Sequence, residues 1–475
     1  MRSARVAAAA VSLLLALGLY QGRKLFIRSW LTQGPSDPPA SAAVPPPTGP
    51  LHPVRVVLVD GLSARVARTL PAFSRICRDG LTLQVGVGFP SISLPVQHVL
   101  WTGTWQNQSG VMFQVRRLPR PVFDSLPARV AARTGTSVAI AESHVYIVAS
   151  FPFSQQMGPD AGQATLTELE LQQASLEAFQ SSAALVFVHL LAVDEAGHEV
   201  GSSGSAYRDA AARADRLLAS LGKVRRPDQT LLVLSDHGHL GPPPGGHGGP
   251  ESEIALVQGC LAGPGLPAGA RVEALLPDLT RILADRLNVQ PPRHCQGRTL
   301  EGLLRGEPPR PQRTGWTLRL ACAGTITLLA WLGLLLWFRR RPGLGLLALP
   351  WGLVIAALAV VALEGAPSLS RFYVYRALPL ALLAHGLPAL LGGAQLLWLV
   401  RRGVTPGTAG AALLLGGLMP AIAALVCSGW PVIVPPLVPW LSAWASLLSW
   451  LAIVWTLGLG LALAFSSARS TARAS

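Results

Sequence analysis

The chain has 475 residues, of which 50% are hydrophobic and only 13% are charged. Soluble domains usually carry about 25% charged residues, so this composition excludes a disordered chain and a conventional, entirely soluble protein. The net charge is +15, but many arginines flank apolar runs, as they do around membrane spans. The sequence contains no helix-turn-helix, RNA-recognition or zinc-finger pattern, and we therefore expect no nucleic-acid partner.

The N-terminal segment, residues 1–30, contains an apolar run from Val6 to Tyr20 with basic residues on both sides. The run is shorter than the ~20 residues that usually span a bilayer, but Arg23 and Lys24 can extend the buried length by snorkelling. No clean small-residue cleavage site follows the run, so we predict an uncleaved signal anchor, with a cleaved signal peptide as the alternative. Residues 34–53 are rich in proline and are predicted to be a spacer.

Residues 54–310 have the pattern of an extracytoplasmic α/β domain. Three apolar segments that end in a polar residue or a loop are predicted to be strands, and three longer amphipathic segments are predicted to be helices. The strands are Arg55–Asp60, Ala184–Leu191 and Thr230–Ser235, and the helices are Ala164–Ser181, Ala206–Leu221 and Leu275–Leu287. Strands that alternate with helices predict a mainly parallel central sheet flanked by helices.

Residues 317–466 are predicted to be a membrane domain of five helices, because five apolar runs there are long enough to cross ~30 Å of hydrocarbon. The runs are Leu320–Phe338, Gly343–Leu363, Ala377–Val400, Gly407–Cys427 and Leu437–Phe465. Arginines follow the first, third and fifth runs, which places those connections in the cytoplasm. The same alternation predicts an integral protein of the inner or plasma membrane, with both termini cytoplasmic and residues 54–310 on the opposite, periplasmic or extracellular side.

Candidate metal ligands follow the predicted strands or lie on glycine-rich loops. They are three aspartates and three histidines: Asp60, Asp194, His198, Asp236, His237 and His247. Ligands of open α/β sheets bind beyond the carboxyl ends of the strands, and six protein ligands suit two cations ~4 Å apart. Each residue alone also has a structural explanation, such as a helix cap at Asp60, so the prediction depends on the whole set.

Three further features belong to this pattern. Asp194 and His198 are predicted to lie on a tight loop, and His239 is predicted to be a spare, solvated histidine. The segment from Phe89 to Gly103, read alone, is a turn in which two prolines bracket the hydroxyls of Ser91 and Ser93.

Four motifs in this order resemble the alkaline phosphatase superfamily. They are VVLVDG, P-S-x-S-x-P with a following TG, D-x-x-G-H, and SDHG with a following GHGG. The chain is most similar to the type I phosphodiesterase/nucleotide pyrophosphatase branch and to the ethanolamine-phosphate transferases of GPI-anchor synthesis. The resemblance covers about residues 54–300 and extends to a closing GR-x-L element at 297–300.

The resemblance implies two divalent metal ions. One is held by Asp60, Asp236 and His237, and the other by Asp194, His198 and His247. It also implies that Ser93, which matches the position of a Thr or Ser nucleophile, attacks phosphorus and forms a covalent intermediate. Histidine-rich ligation favours zinc over Mg²⁺ or Ca²⁺.

Three departures bear on the substrate. Leu62, Ser63 and Ala64 stand where relatives often carry an arginine and an acidic residue, and Ser93 replaces the commoner threonine. Gln114 stands where the phosphodiesterases have an asparagine that contacts phosphate. None of the departures removes a metal ligand, but all of them weaken the expectation of a nucleotide substrate.

Function is therefore expected to be that of a membrane-bound phosphodiester hydrolase or phosphoethanolamine-type transferase on a lipid- or glycan-linked substrate. One alternative is a phosphomonoesterase or sulfatase of the same fold, although residues 91–95 (SISLP) do not match the sulfatase motif C/S-x-P-x-R. A second alternative is a non-catalytic membrane scaffold. Of the three cysteines in the domain, Cys260 and Cys295 are predicted to form a disulfide, while Cys322 and Cys427, in the predicted membrane runs, should stay reduced.

Overall fold

The computed structural model describes residues 52–109, 111, 124–241, 245–249 and 251–309, together with the isolated positions 10, 14 and 17. The predicted membrane runs, Gln114 and nearly all of the predicted anchor and linker lie outside the described residues. Among the described residues, no helix combines the length and the apolar composition that crossing a bilayer requires.

Eight strands form one sheet in the described part of the chain. They are β1 (Val54–Val59), β2 (Leu81–Gly86), β3 (Ser137–Ala141), β4 (Gln155–Met157), β5 (Leu185–Leu190), β6 (Thr230–Leu234), β7 (Leu256–Ala262) and β8 (Arg271–Leu275). Their order across the sheet is β4-β3-β5-β1-β6-β7-β2-β8. Strands β6 and β2 pair antiparallel with β7, and the other neighbours are parallel. The predicted mainly parallel sheet is thus confirmed.

The helices in the described residues lie between consecutive strands, except for the last two, which follow β8. They are α1 (Ala64–Ala67), α2 (Pro71–Asp79), α3 (Ser93–Thr102), α4 (Gln106–Ser109), α5 (Leu126–Thr134), α6 (Val145–Val148), α7 (Glu168–Gln180), α8 (Ala192–Val200), α9 (Ser205–Val224), α10 (Ser252–Ala255), α11 (Leu276–Arg286) and α12 (Leu300–Leu304). The three predicted helices correspond to α7, α9 and α11. The predicted start of α7 was four residues early, because Thr167 caps the helix through the backbone N–H of Glu170.

Two apolar cores cover the two faces of the sheet. In β1, Val54, Val56 and Leu58 pack into one core, whereas Val57 and Val59 pack into the other. Successive side chains of a strand point to opposite faces, so a strand buried on both faces reads as a continuous apolar run. This explains why VRVVLV could be recognised as a central strand.

The disulfide prediction was wrong. Cys260 pairs with Cys77, with a Cα–Cα distance of 4.6 Å, and Cys295 Sγ lies 3.8 Å from the carbonyl oxygen of Pro277. Cys77 is on α2, which packs against β7, the strand that contains Cys260. Cys295 instead lies against Gly103, at the end of α3.

Candidate metal centre

The central strands bring the predicted ligands to one edge of the sheet. Asp60 follows β1 directly, Asp236 and His237 follow β6, and α8 begins two residues after β5. Strand β1 is paired in parallel with both β5 and β6. The carboxyl ends of these three strands therefore meet at the same edge, where open α/β sheets bind their ligands.

Asp194 and His198 lie on a helix, not on the predicted tight loop. Helix α8 runs from Ala192 to Val200, and residues four apart lie on the same face of a helix. Asp194 Oδ2 is 3.3 Å from His198 Nε2. The start of the helix is fixed by Glu142, at the end of β3, whose Oε2 accepts a hydrogen bond from the backbone N–H of Ala192 at 3.0 Å.

Ser93 is the first residue of helix α3, which replaces the turn predicted for this segment. Pro95 lies in the first turn of the helix, where the missing N–H costs nothing. Ser93 Oγ lies 3.3 Å from Asp60 Oδ1 and 3.4 Å from His237 Nε2. Ser91 Oγ donates a hydrogen bond to the carbonyl oxygen of Gly249 at 2.7 Å.

The first group of donors consists of Asp60, Asp236 and His237, all fully buried. His237 Nε2 lies 3.3 Å from Asp60 Oδ1 and 3.6 Å from Asp236 Oδ2. His237 Nδ1 lies 3.2 Å from the carbonyl oxygen of Gly238, so Nδ1–H donates to that oxygen and Nε2 is the nitrogen that faces the carboxylates.

Asp236 is bonded through one of its two oxygens. Oδ1 accepts backbone hydrogen bonds from Gly61 at 3.1 Å and from His237 at 2.9 Å. Oδ2 is buried and has no hydrogen-bond partner in the described part of the chain. A buried carboxylate oxygen without a partner is costly, and a cation at this point would remove the cost.

The second group of donors surrounds Asp194. His198 Nε2 and His247 Nε2 lie 3.2 Å apart, and His247 Nε2 is 3.6 Å from Asp194 Oδ1. His247 Nδ1 lies 3.1 Å from the carbonyl oxygen of Ser91, so the segment that carries Ser93 also orients this histidine. The rings of His247 and His237 are stacked with centroids 3.8 Å apart.

Two buried histidines that the sequence reasoning missed contact the carboxylates. His239, predicted to be solvated, is fully buried, and its Nε2 lies 2.7 Å from Asp194 Oδ1. His189 is also fully buried, near the end of β5, and its Nε2 lies 2.7 Å from Asp60 Oδ2. The one polar residue in the apolar strand LVFVHL was the available signal for His189.

The charges of the site are strongly coupled. Burial and the charge of Asp60 raise the pKa of Asp236 to about 7. Burial opposes protonation of His237, but the charges of Asp236, Asp60 and Asp194 outweigh it and raise its pKa to about 10. Burial and Asp194 oppose ionisation of Asp60, yet hydrogen bonds from His189 and His237 hold its pKa below the usual value.

Two groups of carboxylates and imidazoles thus share one edge of the sheet: Asp60 and Asp236 with His237, all buried, and Asp194 with His237, His239 and the partly buried His247. His198, also partly buried, reaches the second group through Asp194 and His247. Carboxylate oxygens and neutral imidazole nitrogens are suitable ligands for a divalent ion, and the unpartnered Asp236 Oδ2 fits this interpretation. The residues present therefore suit a two-metal centre. Gln114, the predicted phosphate contact, lies outside the described residues.

A family model for type I phosphodiesterase / nucleotide pyrophosphatase matches residues 124–242. The matched segment contains Asp194, His198, Asp236 and His237, which lie in the two donor clusters. The match covers about a quarter of the chain and shows that this segment is similar to the family. The match and the two donor clusters together identify the domain as a metal-dependent, phosphodiesterase- or pyrophosphatase-like hydrolase of the alkaline phosphatase superfamily.

Similar solved structures were also found for this phosphodiesterase domain. Murine ectonucleotide pyrophosphatase/phosphodiesterase 5 is 15% identical with a TM-score of 0.44, over 51% of this chain and 96% of that chain. The human protein of the same name is 14% identical with a TM-score of 0.44, over 52% and 97%. An alkaline phosphatase superfamily protein from Vibrio parahaemolyticus is 14% identical with a TM-score of 0.40, over 56% and 72%. No curated protein matches the sequence significantly.

Proposed function

We propose that the domain cleaves or transfers a phosphodiester by way of a covalent intermediate on Ser93, with two zinc ions as cofactors. The position of Ser93 carries the proposal. Its hydroxyl oxygen lies 3.3 Å from Asp60 Oδ1 and 3.4 Å from His237 Nε2, which is next to the buried donors of the first cluster and at the start of a helix.

The spacings between the donors support zinc at both clusters. Neighbouring ligands of a tetrahedral zinc with bonds of ~2.0 Å are about 3.3 Å apart. The first cluster and Ser93 Oγ show separations of 3.3, 3.3, 3.4 and 3.6 Å. Around Asp194 the separations to and between His198 and His247 are 3.2, 3.3 and 3.6 Å. Zinc at the first cluster would be held by Asp60, Asp236 and His237, and zinc at the second by Asp194, His198 and His247.

Bound metal ions would supply positive charge that favours a serine alkoxide and offsets charge on the phosphoryl oxygens. Asp60 Oδ1, a carboxylate oxygen with a second lone pair, is an acceptor within reach of the Ser93 proton. As the bond from Ser93 Oγ to phosphorus forms, the bond from phosphorus to the leaving oxygen breaks. Water or an alcohol then attacks phosphorus, loses its proton and releases Ser93. The position of Ser93 at a helix N-terminus also suits an anionic group.

The test is a chemical trap. The full-length protein, loaded with zinc, is mixed with an aryl phosphodiester, quenched in acid and digested. Mass spectrometry should find the phosphoryl group on Ser93. Under the same conditions, aryl phosphomonoesters and aryl sulfates should be turned over more slowly than the aryl phosphodiester. Turnover without any modified serine would refute the covalent step, and the absence of bound metal would refute the whole proposal.

A phosphomonoesterase or sulfatase is the second candidate, because part of the sulfatase motif can be aligned to the segment that starts at Ser93. Starting at Ser93, the segment SLPVQ agrees with the first positions of the sulfatase motif C/S-x-P-x-R and departs at Gln97. Gln97 is buried and neutral, and its Nε2 lies 3.3 Å from His189 Nε2. The missing arginine charge favours a phosphodiester over a sulfate ester, and the same substrate panel separates the two functions.

We further propose that the domain acts on a lipid- or glycan-linked substrate outside the cytoplasm, with both termini in the cytoplasm and no nucleic-acid partner. The five apolar runs and their arginines support this arrangement. The disulfide between Cys77 and Cys260 supports an oxidising compartment. A reporter that works only in the cytoplasm, fused after Arg305, should be inactive, whereas the same reporter fused after Ser475 should be active. The opposite pattern would overturn the topology.

A further inference from the structure

Distances between the polar atoms of the site fall into two groups. Contacts within each set of proposed metal ligands, with Ser93 counted in the first set, are 3.2–3.6 Å long. Two contacts are much shorter, at 2.7 Å, and join His189 to Asp60 and His239 to Asp194. A separation of 2.7 Å is too short for neighbouring ligands of one tetrahedral zinc but is usual for a hydrogen bond from nitrogen to a carboxylate.

In each aspartate, one oxygen makes the short contact, and the other oxygen makes the closest approach to a proposed ligand. Asp60 Oδ2 contacts His189, while Asp60 Oδ1 lies 3.3 Å from both Ser93 and His237. Asp194 Oδ1 contacts His239, while Asp194 Oδ2 lies 3.3 Å from His198. Both aspartates therefore have one oxygen held by a buried imidazole and the other oxygen nearest to a proposed ligand, although Asp194 Oδ1 is also 3.6 Å from His247 Nε2.

The imidazoles themselves are held in place by packing. His189 is fully buried at the carboxyl end of a central strand, and its ring stacks against that of Phe187 with centroids 6.0 Å apart. His239 is fully buried against α8, where a Cβ on Gly197 would lie 2.4 Å from its ring. The Nδ1 atoms of both histidines are buried and have no hydrogen-bond partner among the described residues. This fits imidazoles that carry their proton on Nε2, where it is donated to the carboxylate. A proton on Nδ1 would be a buried N–H without a partner.

We infer that His189 and His239 are a pair of positioning residues, one for each metal. Each holds one oxygen of a ligating aspartate, so that the other oxygen is presented to the ion and the carboxylate cannot rotate. The inference rests on the proposed two-metal function and assigns His239 a role outside the ligand set. Partners that orient metal ligands typically change metal affinity by about 10- to 100-fold when removed.

The experiment measures zinc binding, not catalysis, on the full-length protein in detergent. Zinc is removed with a chelator and titrated back against a competing chelator, and the final zinc content is measured by mass spectrometry. His189→Ala and His239→Ala should each weaken one of two sites by about 10- to 100-fold, while both sites still fill at saturating zinc. Glutamine retains an N–H donor, so His189→Gln and His239→Gln should recover part of the loss.

A second background assigns the sites. In His198→Ala, which removes a ligand of the second cluster, the remaining site should be weakened by His189→Ala but not by His239→Ala. His98→Ala is the matched control, because His98 is also fully buried and belongs to neither donor cluster. It should leave both zinc affinities unchanged.

Several results would overturn the inference. They are unchanged affinities in both alanine variants, an equal loss in the His98 control, or the complete loss of one zinc in His239→Ala, which would make His239 a ligand. All of these require that the wild-type protein binds two zinc ions. If it does not, the proposed function fails first, so the two failures are distinguishable.

Discussion

Ser91 and Ser93 are two residues apart, yet their hydroxyl groups have different partners. Ser91 Oγ donates to the carbonyl oxygen of Gly249 at 2.7 Å, and Ser93 Oγ lies between Asp60 and His237 at 3.3 and 3.4 Å. The first contact ties the segment before α3 to the loop that carries His247. The second places a nucleophilic oxygen next to the buried donors, so the two serines can be tested separately.

Substitution of Ser93 should remove turnover without removing the metals. In Ser93→Ala the phosphoryl group has no oxygen to bond to, so the rate should fall by at least about 10³-fold, while zinc content stays near that of the wild type. Ser91→Ala loses one buried hydrogen bond and should cost about 1 kcal/mol of stability, with a milder loss of rate. Steady-state rates and metal analysis on the same preparations check both. An inactive Ser91→Ala beside an active Ser93→Ala would reverse the assignment.

Zinc binding should release protons at neutral pH. The pKa of His237 is raised to about 10 in the metal-free protein, so its imidazole carries a proton at pH 7.5 that a metal must displace. Affinity should therefore rise with pH towards 10 and fall as the pH is lowered. Titration calorimetry in two buffers with different ionisation heats measures the proton count, which should be smaller in His237→Ala. Binding heats that do not depend on the buffer would contradict the expectation.

The sequence was sufficient for the features that depend on local pattern. Apolar segments such as VRVVLV, followed by Asp60, identify buried strands and the edge where their ends meet. Parallel pairing of β1 with β5 and β6 then brings Asp60, Asp194 and Asp236 together, as the order of the motifs predicts. The helix at 192–200 was missed because a glycine inside AVDEAGHEV suggested a turn, whereas Gly197 makes room for a ring.

Features that depend on contacts between distant segments could not be predicted in this way. His239 follows Gly238 in a polar loop and resembles a solvated residue, and its burial is decided by α8, to which it is not adjacent in sequence. The disulfide likewise depends on the packing of α2 against β7, which brings Cys77 to Cys260. Cysteine spacing alone leaves every pairing open.

The disulfide should contribute measurably to stability. It links Cys77 and Cys260 across 183 residues, and native disulfides typically contribute about 2–4 kcal/mol to the free energy of unfolding. The double variant Cys77→Ser, Cys260→Ser should unfold at lower temperature, and its melting should no longer respond to reductant. Cys295→Ser is the matched control and should respond to reductant as the wild type does. Peptide mapping that recovers Cys260 linked to Cys295 would overturn the assignment.

Acid should destabilise the domain in part through His98. Burial lowers the pKa of this histidine to about 3, compared with about 6.5 in an unfolded chain. Between these values the unfolded state binds a proton that the folded state does not, so stability falls as the pH drops from about 6.5 towards 3, by up to about 1.4 kcal/mol per pH unit. Urea unfolding of metal-free wild type and His98→Gln at several pH values tests this. The difference in unfolding free energy between the two proteins should vary over that range and be constant above pH 7.

Gly197→Ala should disturb the second metal site while favouring the helix that contains it. Alanine in place of glycine in a helix usually stabilises by about 0.5–1 kcal/mol, but a Cβ at this position would lie 2.4–2.6 Å from three atoms of the His239 ring. The ring must then move and loses its 2.7 Å contact with Asp194, so zinc affinity at the second cluster should fall as in His239→Ala. Gly222→Ala is the matched control, because a Cβ there has no neighbour within 4 Å and should give the helical stabilisation alone. Zinc titration and thermal melting of the two variants separate the effects. A Gly197→Ala protein with wild-type zinc affinity would show that the position of the His239 ring does not matter for the metal.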